Sequence, residues 1–345
     1  MSTIKTIEFN SGVLYLLDQR KLPLSCELFP CKTYLDVDFA IRDMVVRGAP
    51  AIGEAAAYGA VLAAGEFIHE SKAVFCRRME EALELLNRSR PTAVNLMWAV
   101  ERMRKVLKNC GSIDNAAVYA SVKAEADSIA AEDISTSSAM ARYGNGLIKE
   151  GAAILTHCNT GALATSGYGT ALGVIREAHY SGKDIFVYAD ETRPRLQGAR
   201  LTAWELRQEG IPAKLIADSV AATLIRDKKI DIILVGADRI ALNGDTANKI
   251  GTFMLSVVAK VYDVPFYVVA PTSTIDFSIE SGKQINIEER SPEEVTHIEG
   301  TRIAAEGIDI YNPAFDVTPN ENIAGIITEK GILYAPYEDS IYKIK

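Results

Sequence analysis

Metal-binding and redox signatures are missing from this sequence. The five cysteines, at positions 26, 31, 76, 110 and 158, form no Cys-x-x-Cys pair and fit neither a zinc site nor a dense disulfide framework. The four histidines show no His-Cys-Asp metal spacing, so no metal is expected. No Walker A sequence occurs. Basic charge is not in excess: the net charge of −8 argues against general affinity for nucleic acid, which needs a basic face, but leaves room for a local phosphate pocket. No apolar run approaches the ~20 residues that span a bilayer. The start, Met1-Ser2-Thr3-Ile4-Lys5, lacks the apolar core of a signal peptide. These absences together predict a reduced, cytoplasmic, soluble protein with no membrane or nucleic-acid partner.

What is present is enough apolar material for sizeable cores, 48% of 345 residues, a length that usually holds two domains. Ile7–Phe9 and Val13–Leu17 read as strands around Asn10-Ser11-Gly12. Helical periodicity then covers 34–46, 51–67, 73–87, 93–107 and 113–143, with Gly144 and Gly146 suiting a helix stop. From about 151 the pattern changes. Strand-length apolar runs at 154–157, 185–189, 214–217, 230–235 and 266–270 alternate with helical segments at 166–179, 198–209, 219–228 and 245–262. Such alternation means βαβ crossovers and a parallel sheet covered on both faces. Residues 308–313 and 323–328 read as a closing strand-and-loop region. The fold class is therefore α/β. The expected division is a mainly helical N-terminal domain with a short β start (1–125), a linking helix (126–150) and a parallel-sheet domain (151–345).

Chemistry concentrates where strands end. The run Ile154-Leu155-Thr156-His157-Cys158 stops on a cysteine and is followed by small residues. In open α/β sheets, ligands sit beyond the carboxyl ends of the strands, so Cys158 reads either as a reactive thiol or as a small buried apolar side chain. Successive strand residues point to opposite faces, which argues against a Cys158–His157 dyad. Gly167-Tyr168-Gly169-Thr170-Ala171-Leu172-Gly173 misses the dinucleotide spacing, and Asp190 is followed by Glu191-Thr192-Arg193 rather than standing alone. Arg47-Gly48-Ala49-Pro50 and Arg90-Pro91-Thr92 each set a guanidinium before a helix start, an arrangement suited to phosphate. Another strand ends at Gly236-Ala237-Asp238 and leads to Asn248-Lys249, a candidate for proton transfer on a phosphorylated ligand. Asp245 is the better helix-cap candidate there, which leaves Asp238 for function. Asp190-Glu191-Thr192-Arg193-Pro194 with Gln197 is expected to open onto the same sheet edge.

Taken together, four segments resemble the methylthioribose-1-phosphate isomerases: Arg47–Gly53, Thr156–Ala164, Asp190–Thr202, and Gly236–Ile240 continuing through Asn248–Thr252. The resemblance runs from about residue 5 to 335. The wider superfamily includes the α, β and δ regulatory subunits of eukaryotic translation initiation factor 2B and ribose-1,5-bisphosphate isomerase. The resemblance implies a Rossmann-like C-terminal domain that binds no nucleotide, no cofactor, and a homodimer formed largely through that domain. It also implies a sugar phosphate held between the domains. Cys158 and Asp238 are then the catalytic pair, and Arg47, Gly48, Ala49, Arg90, Gln197, Asn248 and Lys249 bind substrate. The implied activity converts 5-methylthioribose 1-phosphate to 5-methylthioribulose 1-phosphate in methionine salvage. Isomerases of 5-deoxyribose 1-phosphate or ribose 1,5-bisphosphate, and a non-catalytic regulatory subunit, are the competing readings. Thr160 is a small departure, where alanine is the more usual residue.

Overall fold

The computed structural model describes residues 4–90, 93–109 and 114–345. Cys110, Ile113 at the start of the long predicted helix, and Pro91 and Thr92 of the Arg90 motif lie outside the described residues. The chain divides into two compact units, one of Met1–Ser138 with Gly161–Gly169, the other of Ala139–Thr160 with Thr170–Lys345.

In the first unit, β1 (Ile7–Asn10), β2 (Val13–Leu17) and β3 (Leu28–Cys31) form an antiparallel sheet in that order. The sequence reading missed β3 because Pro30 interrupts it. Proline lacks the donor a central strand needs, and β3 is at the sheet edge, where this is tolerated. Next comes α1 (Tyr34–Arg42), started by a reciprocal capping box: Asp36 N–H donates to the Thr33 hydroxyl at 3.2 Å, and Thr33 N–H donates to the Asp36 carboxylate at 2.8 Å. The helix stops short of the expected Val46, since Met44 already has a φ of 57°. The middle of the unit is α2 (Ala49–Glu66), buried at every position from Ala51 to Ala64. A helix apolar all round belongs inside, and its small side chains let α1, α3 (Lys72–Arg88) and α4 (Val94–Asn109) pack against it. The long α5 (Asn115–Asn145) follows without a break through the region expected to link the domains.

The returning segment Gly161–Gly169 is tied into this unit. Thr6 Oγ1 donates to the Ala162 carbonyl at 2.7 Å, and Gln19 Nε2 donates to that of Leu163 at 2.6 Å. Ser166 N–H donates to Asp133 at 2.6 Å, and the Ser166 hydroxyl donates to Glu54. Burial pushes the Glu54 carboxyl up to about 8, with nearby Asp133 adding to this against the Ser166 hydrogen bond. In the unfolded chain Glu54 ionises near its ordinary ~4.3. The raised value therefore contributes stability that is complete below about pH 4 and lost as pH rises to about 8. Glu54→Gln removes the ionisation. Calorimetry at pH 9 is expected to show its Tm above the parent's by roughly 2–6 °C, with the difference vanishing below about pH 4.

In the second unit, β4 (Ala153–Thr156), α6 (Ala171–Tyr180), β5 (Phe186–Asp190), α7 (Ala203–Gln208), β6 (Ala213–Ile216), α8 (Val220–Arg226) and β7 (Ile232–Val235) build the first crossovers. The short β8 (Arg239–Ile240) and β9 (Thr246–Lys249) precede α9 (Thr252–Val261) and β10 (Phe266–Val269). After α10 (Glu293–Thr296) come the pair β11 (His297–Ile298) and β12 (Thr301–Arg302), then β13 (Phe315–Thr318), β14 (Gly325–Thr328) and β15 (Gly331–Leu333). The main sheet has the order β15-β14-β10-β7-β4-β5-β6 and is parallel except for β15. Its middle strands are buried apolar runs, as a sheet covered on both faces requires.

Four expectations need correction. The helix expected over 245–262 starts only at Thr252, because residues 246–249 are β9, paired antiparallel with β8 and with the distant β13. Long-range pairing overrides the local helical spacing there. Asp245 consequently caps no helix; its carboxylate accepts from Gly282 N–H at 3.0 Å and Asn320 N–H at 2.9 Å. The helix expected from Ser166 starts at Ala171; of the closing region expected at 308–313 and 323–328, the second holds β14, while 308–313 forms no strand and β13 follows it at 315–318.

Candidate active site

Two parallel neighbours, β4 and β7, are in register with Thr156 opposite Leu234. Both run the same way, so the segments that follow them, carrying Cys158 and Asp238, leave adjacent strands at the same edge of the sheet. Asp190 ends β5 on the other side of β4, where Thr156 pairs with Ala189. The order β7-β4-β5 thus gathers three of the motifs read from the sequence.

Cys158 is 8% exposed and has a φ of +65°. That left-handed conformation costs a non-glycine residue about 1–2 kcal/mol, so the surroundings must impose it. Its N–H donates to Thr192 Oγ1 at 2.8 Å, and its carbonyl accepts from Thr202 Oγ1 at 2.6 Å. The preceding His157 is buried and turned to other partners: Nδ1 meets Asp190 at 2.9 Å and Nε2 meets the Ile250 carbonyl at 2.9 Å. No Cys–His dyad forms, and His157 instead pins the Cys158 segment to the turn after Asn248 and Lys249. Burial opposes a charge on His157, but the Asp190 carboxylate and, less closely, Asp218 outweigh it and hold the imidazole above the ordinary histidine range. Donor atoms of His157, Asp190 and Asp218 lie within 4.8 Å of one another. The Asp218 carboxylate accepts from Thr192 N–H at 2.7 Å and Arg193 N–H at 2.8 Å, whereas Asp190 Oδ1 has no hydrogen-bond partner among the described residues.

Asp238 is half-buried, and its N–H donates to the Ala247 carbonyl at 2.9 Å, which sets it beside β9. On β9, Asn248 Nδ2 donates to Thr252 Oγ1 at 3.0 Å, and Lys249 Nζ donates to the Ala314 carbonyl at 3.0 Å over the Phe315 ring. Gln197 is buried, and its Oε1 lacks a hydrogen-bond partner among the described residues. A buried carbonyl oxygen left in this state is costly unless a ligand supplies the donor. Gly198 beside it cannot carry a side chain, because a Cβ there would lie 1.6 Å from the Asp190 carbonyl.

The remaining motif residues belong to the first unit. Arg47 Nε donates to Gln19 Oε1 at 3.1 Å, and Gln19 also holds the Gly161–Gly169 segment. Gly48, with a φ of 99°, begins α2 and passes so close to Ala164 that a Cβ would come within 2.6 Å of it. Ala49 opens the helix. Arg90 follows α3 and is half-buried. The sequence reading missed Asn159, Thr192 and Thr202 as parts of the site. They stand inside the quoted motifs, but hydroxyls and amides give no spacing signal of their own.

The fold and this constellation define an α/β protein of known type: the chain belongs to the initiation factor 2 subunit family, whose model matches residues 45–335. Within that family its relatives are specific. It is 74% identical over 345 residues, the whole of both chains, to the methylthioribose-1-phosphate isomerases of Thermoanaerobacter sp. (strain X514) and Caldanaerobacter subterraneus subsp. tengcongensis. Among solved structures it is similar to 5-methylthioribose 1-phosphate isomerase from Pyrococcus horikoshii OT3, with a TM-score of 0.94, 43% identity and coverage of 100% of this chain and 97% of that one. The translation initiation factor eIF-2B, subunit delta, from A. fulgidus gives a TM-score of 0.88 at 42% identity, covering 99% of each chain.

Proposed function

We propose that this chain is an aldose–ketose isomerase that converts 5-methylthioribose 1-phosphate to 5-methylthioribulose 1-phosphate, a step of methionine salvage. Phosphate on C1 locks the sugar as a furanose, so no free aldehyde is available. The ring must open with the phosphate attached, and hydrogen must move from C2 to C1. Asp238 acts on the ring oxygen, and Cys158 acts at C2 as base or as stabilising thiol. Arg47, Gly48, Ala49 and Arg90 serve the phosphate, while Gln197, Asn248 and Lys249 hold the sugar. The observation that carries this reading is the departure of Cys158 and Asp238 from neighbouring parallel strands at one sheet edge. The partnerless Gln197 Oε1 supports it, as an acceptor suited to a sugar hydroxyl.

The test compares kcat/KM for three sugar phosphates. The methylthio sugar is expected to lead, with 5-deoxyribose 1-phosphate within roughly 10–200-fold, since one small apolar group is worth ~1–3 kcal/mol. Preference for ribose 1,5-bisphosphate would overturn the assignment. Reaction in deuterium oxide bears on the route: label at C1 of the product marks proton transfer, and its absence leaves hydride transfer standing.

The same reading includes a homodimer in the cytoplasm. Among the described residues no helix is long and apolar enough to cross a membrane. Phe253, Met254, Val257 and Val261 make an exposed apolar stripe along α9, a face that a second copy of this chain would cover. Light scattering is expected to give twice the chain mass, and Val257→Glu to shift it toward the monomer.

A further inference from the structure

We propose that Thr192 and Thr202 are positioning residues for Cys158: their hydroxyls hold it in the left-handed conformation that sets the direction in which its thiol leaves the chain. The inference rests on the role given to Cys158 above. Both hydroxyls are buried, and both are fully oriented by other contacts. Thr192 Oγ1 accepts the Cys158 N–H at 2.8 Å and can do so because its own proton goes to the Asp190 carbonyl at 3.2 Å. Thr202 Oγ1 works in the opposite sense. It donates to the Cys158 carbonyl at 2.6 Å and accepts from Asn159 Nδ2 at 3.2 Å.

Each hydroxyl is in turn fixed to a rigid base. Thr192 has a φ of 63°, and its N–H is held by Asp218 at 2.7 Å. Asn159 also donates to Glu205 at 2.6 Å, and Glu205 accepts from Arg176 at 2.6 Å, all of them buried. Both polar backbone groups of one strained residue are therefore clamped from separate elements, the loop after β5 and the turn before α7. An ordinary buried threonine would need only to satisfy itself. These two instead fix a peptide that would otherwise relax to the common right-handed or extended regions.

The test uses Thr192→Val and Thr202→Val, which keep shape and lose the hydroxyl, with Thr→Ser at each position to restore it. Where a Val variant fails to fold, Ala at that position replaces it. The Val variants are expected to lose about 10–100-fold in kcat with KM within about threefold, because small misplacement of a reacting group is costly, and the Ser variants to recover the parent rate. Alkylation of Cys158 by iodoacetamide, followed by mass spectrometry of its peptide, gives a readout that needs no substrate. Its rate is expected to change at least about threefold in the Val variants and to return in the Ser variants. Unchanged alkylation and unchanged kcat in folded Val variants would overturn the proposal, as would Ser variants as impaired as Val. Lack of turnover in the parent, with alkylation still dependent on the hydroxyls, would instead count against the isomerase assignment and leave the clamp standing.

Discussion

Cys158→Ser is expected to lower kcat at least ~10³-fold, near the upper range for loss of a positioned acid–base group, while KM stays within about threefold. The substitution is nearly isosteric, and the site is only 8% exposed, so no cavity of consequence opens. The backbone bonds to Thr192 and Thr202 involve the peptide and not the sulfur, and they survive the change. What is lost is chemical. A serine hydroxyl is far less acidic than a thiol and cannot reach the anion at neutral pH, and it lacks the polarisable sulfur that could steady a developing charge. Steady-state kinetics with circular dichroism as a control for folding checks the point, and a near-normal kcat would remove Cys158 from the mechanism.

Asp238→Asn should give a loss of similar size, ~10²–10⁴-fold in kcat. The amide keeps the size and much of the hydrogen bonding of the carboxyl, but its N–H protons are far too weakly acidic to pass to the ring oxygen. The fold should be indifferent, because the structural bond at this residue is made by its N–H to the Ala247 carbonyl. Combining the two substitutions should cost little more than the worse of them, as groups acting in one step are not additive. Fully additive losses would mean that Cys158 and Asp238 act in separate events.

Much of this architecture could be read before any coordinates. Alternation of apolar runs with helical segments indicates a parallel sheet, and β4, β5, β7 and β10 fall within a residue or two of the expected runs. The alanine-rich α2 is likewise visible as a packed helix. What escaped depends on partners far away in the chain. Thr246–Lys249 has helical neighbours in sequence yet is a strand, because Phe315–Thr318 pairs with it. The candidate residues were legible as types at strand ends, whereas their supports were not. Nothing local marks Thr202 as the donor to the Cys158 carbonyl, or His157 as a link from Asp190 to the Ile250 carbonyl.

The most direct measurement follows 5-methylthioribose 1-phosphate, labelled with carbon-13 at C2, by NMR in the presence of the purified chain. The account expects the C2 signal to move to a ketone carbonyl with the phosphate still on C1, and to stay in place when the double variant Cys158→Ser, Asp238→Asn is used. An unchanged sugar with the folded parent protein, or ketose formed equally well by the double variant, would contradict it.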